Sequence, residues 1–156
     1  NAKVPRLLGD TSDERVRREL AGRSLPEAWF DPDSPLSALV ASPERFLPGL
    51  IRAFQYETSR FQSEPWHAEL IARLWTFERF RTYWYAVERG PVSAAAARAV
   101  VPLGMRVPVV GLLQFRLSAE PFTRDARFRI IYYFPSDART MKVCAEWEAE
   151  ARAVVS

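Results

Sequence analysis

The single histidine and the single cysteine are the first side chains to consider for catalysis. His67 stands near the start of a predicted helix, after Glu64, Pro65 and Trp66, and Cys144 lies on the apolar stripe of a later helix. A histidine acts as a general base, and a cysteine as a nucleophile, only when a suitable partner lies beside it. Because no recognisable motif supplies such a partner, we interpret His67 as a surface or capping residue and Cys144 as a buried structural thiol.

Metal and phosphate sites find equally little support. Asp31 and Asp33 have the spacing of a metal-binding pair, but the flanking prolines explain them as turn residues. Gly104 and Gly111 do not form a phosphate loop, because no strand, glycine-rich turn and helix follow one another there. The chain has no GxSxG, HExxH or CxxC motif, and one Cys with one His cannot assemble a zinc site. We therefore expect no catalytic residue, no metal and no cofactor.

Aromatic side chains are concentrated in one short part of the chain. Ten of the twenty lie in the 32 positions from Phe54 to Tyr85, among many Arg and Glu residues. Their spacing predicts two amphipathic helices, with the stripes Trp66, Leu70, Leu74 and Phe77, Phe80, Trp84, Val87. Large rings on facing helices either pack to native density or leave a lined cavity, and the spacing is compatible with both.

Further helices are predicted before this aromatic run. The first begins at Thr11 or Ser12 and runs through Ala21, with acidic residues in its first turn. Five prolines between Ser24 and Pro48 indicate short helical turns joined by loops. A longer helix is then predicted from about Pro48 to Phe61, because its apolar residues recur at helical spacing.

After Gly90 and Pro91, β-branched and aromatic residues alternate with polar ones, which predicts strands. A helical turn over Ser93 to Ala97 is possible before the sheet. The three predicted strands are near Ala99 to Leu103, Val109 to Ser118 and Arg127 to Phe134. Side chains that share a face of a strand are two residues apart, so the expected apolar face consists of Leu113, Phe115, Leu117, Phe128, Ile130, Tyr132 and Phe134.

A sheet with one apolar and one polar face is typically antiparallel and covered on one side, and helices must supply that cover. Pro135 ends the third strand, and Ser136 is the predicted N-cap of a final helix. The apolar stripe of this helix consists of Thr140, Cys144, Trp147, Ala151 and Val154. Helices first and strands later predict an α+β fold, and 156 residues fit a single domain.

The charge pattern argues against nucleic-acid binding by this chain. The net charge is +3, but arginines alternate with glutamate and aspartate, and no run of five like charges occurs. A nucleic-acid footprint needs a one-sided basic stripe. No stretch approaches 18 consecutive apolar residues, and the start at Asn1 lacks the regions of a signal peptide. We expect a cytoplasmic domain without membrane contact, cut from a longer protein.

Two segments resemble the ligand-binding domain of MmyB-like transcription regulators. Leu70, Ile71 and Leu74, followed by Phe77 to Arg81 and Trp84, are similar to the family pattern L-I-x-x-L … S-P-E-F-R-x-x-W. Val107 to Leu112 is similar to its H-P-V-V-G-x-L entry into a strand, and Asp125 to Asp137 to its closing strand. Val107 replaces the usual His, and the Ser-Pro before the second block is missing, so no role of those residues is carried over.

The resemblance implies a PAS-like α+β sensor domain with an apolar cavity between an antiparallel sheet and helices. It also implies that the N-terminal helix-turn-helix domain, which binds DNA, and the first strands lie outside this chain. The ligand class implied is lipid-like or fatty-acid-like, with Arg81, Arg116 or Arg129 as candidates to pair with a carboxylate head group. The expected lining is Phe54, Leu70, Leu74, Phe77, Phe80 and Trp84 on the helices, with Arg81, and Leu113, Phe115, Ile130 and Tyr132 on the sheet.

Two rival functions remain open at this point. One is a dimerisation module without a ligand, in which exposed rings form a homodimer face. The other is a small α+β isomerase or hydrolase, which requires a titratable group in the cavity; His67 is the first candidate for that group.

Overall fold

The computed structural model describes residues 22–88, 100–125 and 127–155. Helices occupy the first part of the described chain, and a three-stranded sheet and one more helix occupy the second, which confirms the α+β prediction. The helices are α1 (Leu25–Phe30), α2 (Pro35–Leu39), α3 (Pro43–Thr58), a 3-10 turn (Ser59–Phe61), α4 (Pro65–Trp75), α5 (Glu78–Glu88) and α6 (Ala138–Val155). The strands are β1 (Val101–Val107), β2 (Gly111–Pro121) and β3 (Arg129–Pro135). The predicted helix over Thr11 to Ala21 and the turn over Ser93 to Ala97 lie outside the described residues.

Prolines position the starts of the first four helices. Each of α1 to α4 carries a proline in its first turn, where the missing backbone N–H has no helical partner to lose. α3 begins at Pro43 instead of the predicted Pro48, so Pro48 lies inside the helix. Its missing N–H removes one helical hydrogen bond, and the complete burial of Phe46 and Leu47 on the same turn offsets that cost.

The two aromatic helices form where the spacing predicted them, as α4 and α5. Their inward residues Leu74 and Phe80 are completely buried, and α5 packs against α3. The Phe80 ring meets that of Phe30 from α1 edge-on, with centroids 5.1 Å apart. On the sheet side the same core contains Leu103, Met105, Leu113, Phe115 and Leu117.

The sheet has the order β1-β2-β3 with antiparallel pairing throughout. β1 and β2 are joined by a tight turn in which Val109 and Gly111 have φ values of 67° and 94°, the left-handed region. The predicted β1 therefore ends too early, and the predicted β2 begins two residues too soon because Val109 and Val110 are typical strand residues that lie in the turn. Among the described helices, none is both long enough and apolar enough to cross a membrane.

The predicted apolar face of β3 is wrong. Tyr133 pairs with Leu117 and Ile131 pairs with Ala119, so the odd-numbered residues of β3 share the inner face with the core residues of β2. Ile130, Tyr132 and Phe134 lie on the outer face and are 43%, 38% and 52% exposed. Paired residues of antiparallel strands project to the same side, so the register with β2 decides the face. Ile130 and Tyr132 therefore cannot line a cavity between the sheet and the helices.

α6 follows β3 after a two-residue connection. Its N-cap is Asp137 instead of the predicted Ser136: the Asp137 carboxylate accepts from the Thr140 backbone N–H at 2.7 Å. Ser136 instead donates its backbone N–H to the carbonyl of Gln114, which extends the pairing with β2 by one bond. The buried Thr140 hydroxyl accepts the N–H of Gln114, so α6 is fixed to the central strand at its first turn.

Candidate functional site

A cleft of about 1090 Å³ opens between the helices and the inner face of the sheet. It lies at the end of the sheet where β1 begins, β2 ends and β3 begins. The helical side is formed by α1, the last turns of α3 with the 3-10 turn, and α4. The apolar lining includes Leu25, Trp29, Leu50, Phe54, Phe61, Trp66 and Leu70 from the helical side and Val101, Leu117 and Ile131 from the strands.

Aromatic contacts fix the wall formed by α3 and α4. The Phe61 ring packs on Trp66 with centroids 5.2 Å apart, across the short loop between the two helices. The Phe54 ring stacks on the imidazole of His67, 6.3 Å away and nearly parallel. These rings are only half-buried, so the wall presents apolar surface to the cleft. The contacts between the rings fix the positions of the side chains in the wall.

His67 lies behind this wall and contacts a hydroxyl. Its Nε2 is 3.2 Å from Thr58 Oγ1, and the Thr58 hydroxyl donates to the Phe54 carbonyl at 2.8 Å. The donor and acceptor roles in the His67–Thr58 contact depend on the imidazole tautomer, and with either tautomer the pair ties α4 to the end of α3.

Two ion pairs brace the cleft. Arg129 Nε lies 2.8 Å from Glu57 Oε2, and Arg129 Nη2 also donates to the Glu57 carbonyl at 3.3 Å, so β3 is joined to the end of α3. Arg73 Nε lies 3.0 Å from Glu27 Oε1, so α4 is joined to α1. Both arginines line the cleft, and both are already committed to a carboxylate.

Glu27, the partner of Arg73, is a buried acid. It completes a capping box, because its carboxylate accepts the Ser24 N–H at 2.7 Å while Ser24 Oγ accepts the Glu27 N–H. Burial pushes the pKa of Glu27 upward, but the hydrogen bonds from Ser24 and Arg73 outweigh it and leave the pKa below its ordinary value. Glu27 is therefore ionised and structural.

Two further arginines of the lining, Arg127 and Arg60, differ in how their charges are neutralised. Arg127 binds the Asp125 carboxylate through two nitrogens, and this side-chain hydrogen bonding lowers the pKa of Asp125 to about 2. Arg60 lies over the Phe61 ring, 4.7 Å from its centroid, and is exposed. Within the described part of the chain, no carboxylate pairs with Arg60, so its charge is available to a ligand.

One polar atom beside the cleft has no partner. Trp29 is almost completely buried, its ring meets Phe46 edge-on at 5.1 Å, and its indole Nε1–H finds no acceptor among the described residues. A buried donor without a partner costs roughly 1–3 kcal/mol. The Trp29 side chain also contributes to the cleft wall.

The structure brings only part of the sequence-predicted lining to the cleft. Phe54 and Leu70 lie in it, while Leu74, Phe80, Leu113 and Phe115 are buried in the packed core. Phe77 and Trp84 are partly buried against the same core, outside the cleft. The sequence left open whether the large rings pack in the core or line a cavity. The structure shows both: rings of α5 pack in the core, and rings between α3 and α4 line a cleft.

The three arginines predicted as head-group partners are also separated. Arg81 donates to the carbonyls of Trp75 and Thr76, at 2.6 and 3.2 Å, and so caps the end of α4. Arg116 is exposed on the outer face of the sheet, because it pairs with Phe134. Of the three, Arg129 alone reaches the cleft.

Sequence reasoning missed several residues that line the cleft. Trp29 lies in the proline-rich stretch from Ser24 to Pro48, and Leu50 lies in the predicted helix from Pro48 to Phe61; neither segment carries a local pattern that indicates a cleft. Arg60 and Phe61 lie at the predicted end of a helix, where helical spacing no longer indicates which face is buried. Ile131 is the inner-face neighbour of a residue assigned to the wrong side. These residues share only their position at helix and strand ends that converge on one edge of the sheet, and that convergence follows from the tertiary packing.

Among the described residues, no group of three or more His, Cys, Asp or Glu side chains is placed to hold a metal ion.

Two comparisons with known proteins bear on the identity of the chain. No curated protein matches the sequence. A family model described as the MmyB-like transcription regulator ligand binding domain matches residues 1–147, nearly the whole chain. With the α+β fold and its cleft, this match shows that the chain belongs to the family of MmyB-like transcription regulator ligand-binding domains.

Proposed function

We propose that this chain is a cytoplasmic sensor domain that binds an apolar, fatty-acid-like ligand in the cleft and transmits its occupancy to a DNA-binding domain outside the chain. The observation that carries the proposal is the cleft itself, whose volume of about 1090 Å³ is slightly above the usual range for small-molecule sites. Its lining is mostly apolar, with arginines distributed around it. The proposed role is binding without chemistry.

The apolar walls favour a ligand with a long hydrocarbon chain. Leu50, Phe54 and Leu70 on the helices face Leu117 and Ile131 on the sheet across the cleft. Each methylene moved from water into such a site contributes about 0.8 kcal/mol, so roughly two methylenes change the affinity tenfold. The cleft therefore discriminates chain length without any hydrogen bond.

The charges favour an anionic head group. Arg60 has no carboxylate partner among the described residues, while Arg129 lies in the same cleft with its guanidinium already oriented by Glu57. A ligand carboxylate that reaches Arg60 gains a charge-assisted hydrogen bond without breaking an existing pair. We assign Arg60 as the first head-group partner, and Arg129 as the second.

Ligand occupancy affects the elements that the cleft joins. α1, α3, α4 and β3 meet there, and two ion pairs, Arg73–Glu27 and Arg129–Glu57, cross from one element to another. A ligand shifts the conformation of the domain only if it binds one arrangement of these elements better than another. The walls of the cleft are half-buried, whereas Leu74 and Phe80 are completely buried in the core.

Mass analysis of the purified chain after denaturing extraction tests the proposal. We expect a stoichiometric lipid or fatty acid, or, from lipid-free preparations, saturable binding of a fluorescent fatty acid. Affinity for a series of saturated fatty acids should rise with chain length until the cleft is full. Leu70→Trp, which fills the cleft, should weaken binding, whereas Phe77→Leu, outside the cleft, should not. A folded chain that neither yields a lipid nor binds the probe contradicts the proposal.

A further inference from the structure

The outer face of the sheet carries an apolar stripe that no described element covers. Ile130, Tyr132 and Phe134 follow one another on this face of β3, and the Tyr132 and Phe134 rings stack with centroids 5.9 Å apart. All three side chains are more than a third exposed. A row of large exposed apolar side chains on an edge strand is unusual in a protein that works as a monomer.

Two opposite charges flank the stripe on the neighbouring strand. The register places Arg116 beside Phe134, Ser118 beside Tyr132 and Glu120 beside Ile130. Arg116 and Glu120 are exposed, and neither side chain forms an ion pair or hydrogen bond with another side chain of the described part of the chain. They lie four residues apart on one face of β2, roughly 13 Å along the strand.

This arrangement is complementary to itself. We propose that the outer face binds the same face of a second copy of the chain, about a twofold axis that passes across the strands at Ser118 and Tyr132. Such a rotation reverses the strand direction, so Arg116 of one copy faces Glu120 of the other, twice in the dimer. Tyr132 then meets its own equivalent, and Phe134 meets Ile130, at the usual spacing of packed sheets, about 10 Å.

The size of the face determines how strong this dimer is. The stripe and its flanking polar residues are six side chains, fewer than the roughly 20–30 residues a side of a standard interface. The isolated chain therefore forms a weak, reversible dimer with a micromolar dissociation constant. Charge complementarity fixes the orientation of the two copies more than it adds to their affinity.

Sedimentation equilibrium over a range of concentrations tests the dimer. Arg116→Glu and Glu120→Arg each place like charges opposite one another at both ends of the interface, and each should weaken dimerisation about tenfold or more. The double charge swap, R116E with E120R, restores both pairs and should restore the dimer. Arg106→Glu is the matched control, because it changes the same charge on the same face, beside Leu112 and outside the paired rows.

Tyr132→Asp provides a second test that does not depend on the charge pairs. It places two carboxylates together on the axis and should leave a folded monomer, with its folding checked by circular dichroism. A chain that stays monomeric at every concentration overturns the proposal. So does a dimer that the single charge reversals leave unchanged, which is the result expected if two β3 edges pair side by side. Failure of the double swap to restore the dimer overturns it as well.

Discussion

Arg129 Nε lies 2.8 Å from Glu57 Oε2, so the first residue of β3 is bound to the last turn of α3. This ion pair closes one side of the cleft. It places Arg129 on the inner face of the sheet, although alternation predicted that this face consists of apolar side chains. Both side chains are mostly buried, at 16% and 27% exposure. It is the contact that most directly joins the cleft to the sheet.

Removing the arginine should therefore destabilise the fold. Arg129→Met leaves the Glu57 carboxylate partly buried without its partner, and we expect the free energy of unfolding to fall by about 1–3 kcal/mol. Urea denaturation measures the change. Arg127→Met is the matched control, because Arg127 is 58% exposed and pairs with Asp125 only two residues away in the chain, so its loss should have little effect. Equal losses in the two variants would contradict the structural role assigned to Arg129.

Two leucines of α4 should separate stability from binding. Leu74 is completely buried in the core, so Leu74→Ala should lower the free energy of unfolding by about 2–5 kcal/mol. Leu70, one turn earlier, is half-buried in the cleft wall, so Leu70→Ala should cost less stability and should weaken binding of a fluorescent fatty acid. Denaturation and probe titration on both variants check this. If Leu70→Ala binds the fatty acid as tightly as the wild type, Leu70 does not contribute to the binding site.

Binding of the ligand's carboxylate head group should depend on Arg60. Arg60→Gln keeps a polar side chain but removes the charge, and we expect about tenfold weaker binding of a fatty acid. Binding of the corresponding methyl ester should be unchanged, because the ester carries no charge. Arg106→Gln, on the outer face, is the control for net charge. If both ligands lose affinity equally, Arg60 does not bind the head group.

Neighbouring isoleucines of β3 report on which face is buried. Ile131 packs against the core from the inner face, whereas Ile130 is exposed on the outer face. Ile131→Asp should lower the free energy of unfolding by roughly 2 kcal/mol or more, since it forces a charge into an apolar setting. Ile130→Asp should change it by about 0.5 kcal/mol or less, measured by denaturation at low protein concentration. A larger loss of stability for Ile130→Asp than for Ile131→Asp would support the face of β3 that was predicted from the sequence.

Tyr133 should make stability depend on pH in the alkaline range. Burial raises the pKa of its phenol from 10.0 to about 12, so the unfolded chain loses this proton before the folded chain does. The contribution is complete below pH 10 and is lost as the pH rises towards 12. Denaturation midpoints across this range should fall more steeply for the wild type than for Tyr133→Phe. Parallel curves would show that the phenol is not buried.

Local patterns in the sequence determined much of the architecture. Helices α4 and α5 follow from apolar residues at helical spacing, and the inner face of β2 follows from the contrast between Leu113, Phe115 and Leu117 and their polar neighbours. These features depend on side chains close together in the chain, and burial of one face is enough to select them. The family resemblance carried by the segments around Leu70 and Val107 was confirmed by the family model, which matches residues 1–147.

The tertiary structure decided the face of β3 and the place of the cleft. Residues 130–134 are apolar or aromatic at every position, so alternation has no contrast there and only pairing with β2 selects Ile131 and Tyr133 as the inner residues. Arg129 turns inward because Glu57, 72 residues away in the chain, neutralises it. The cleft exists because α1, α3, α4 and three strand ends converge at one edge of the sheet. No local pattern encodes that convergence, since it arises from packing between segments distant in sequence.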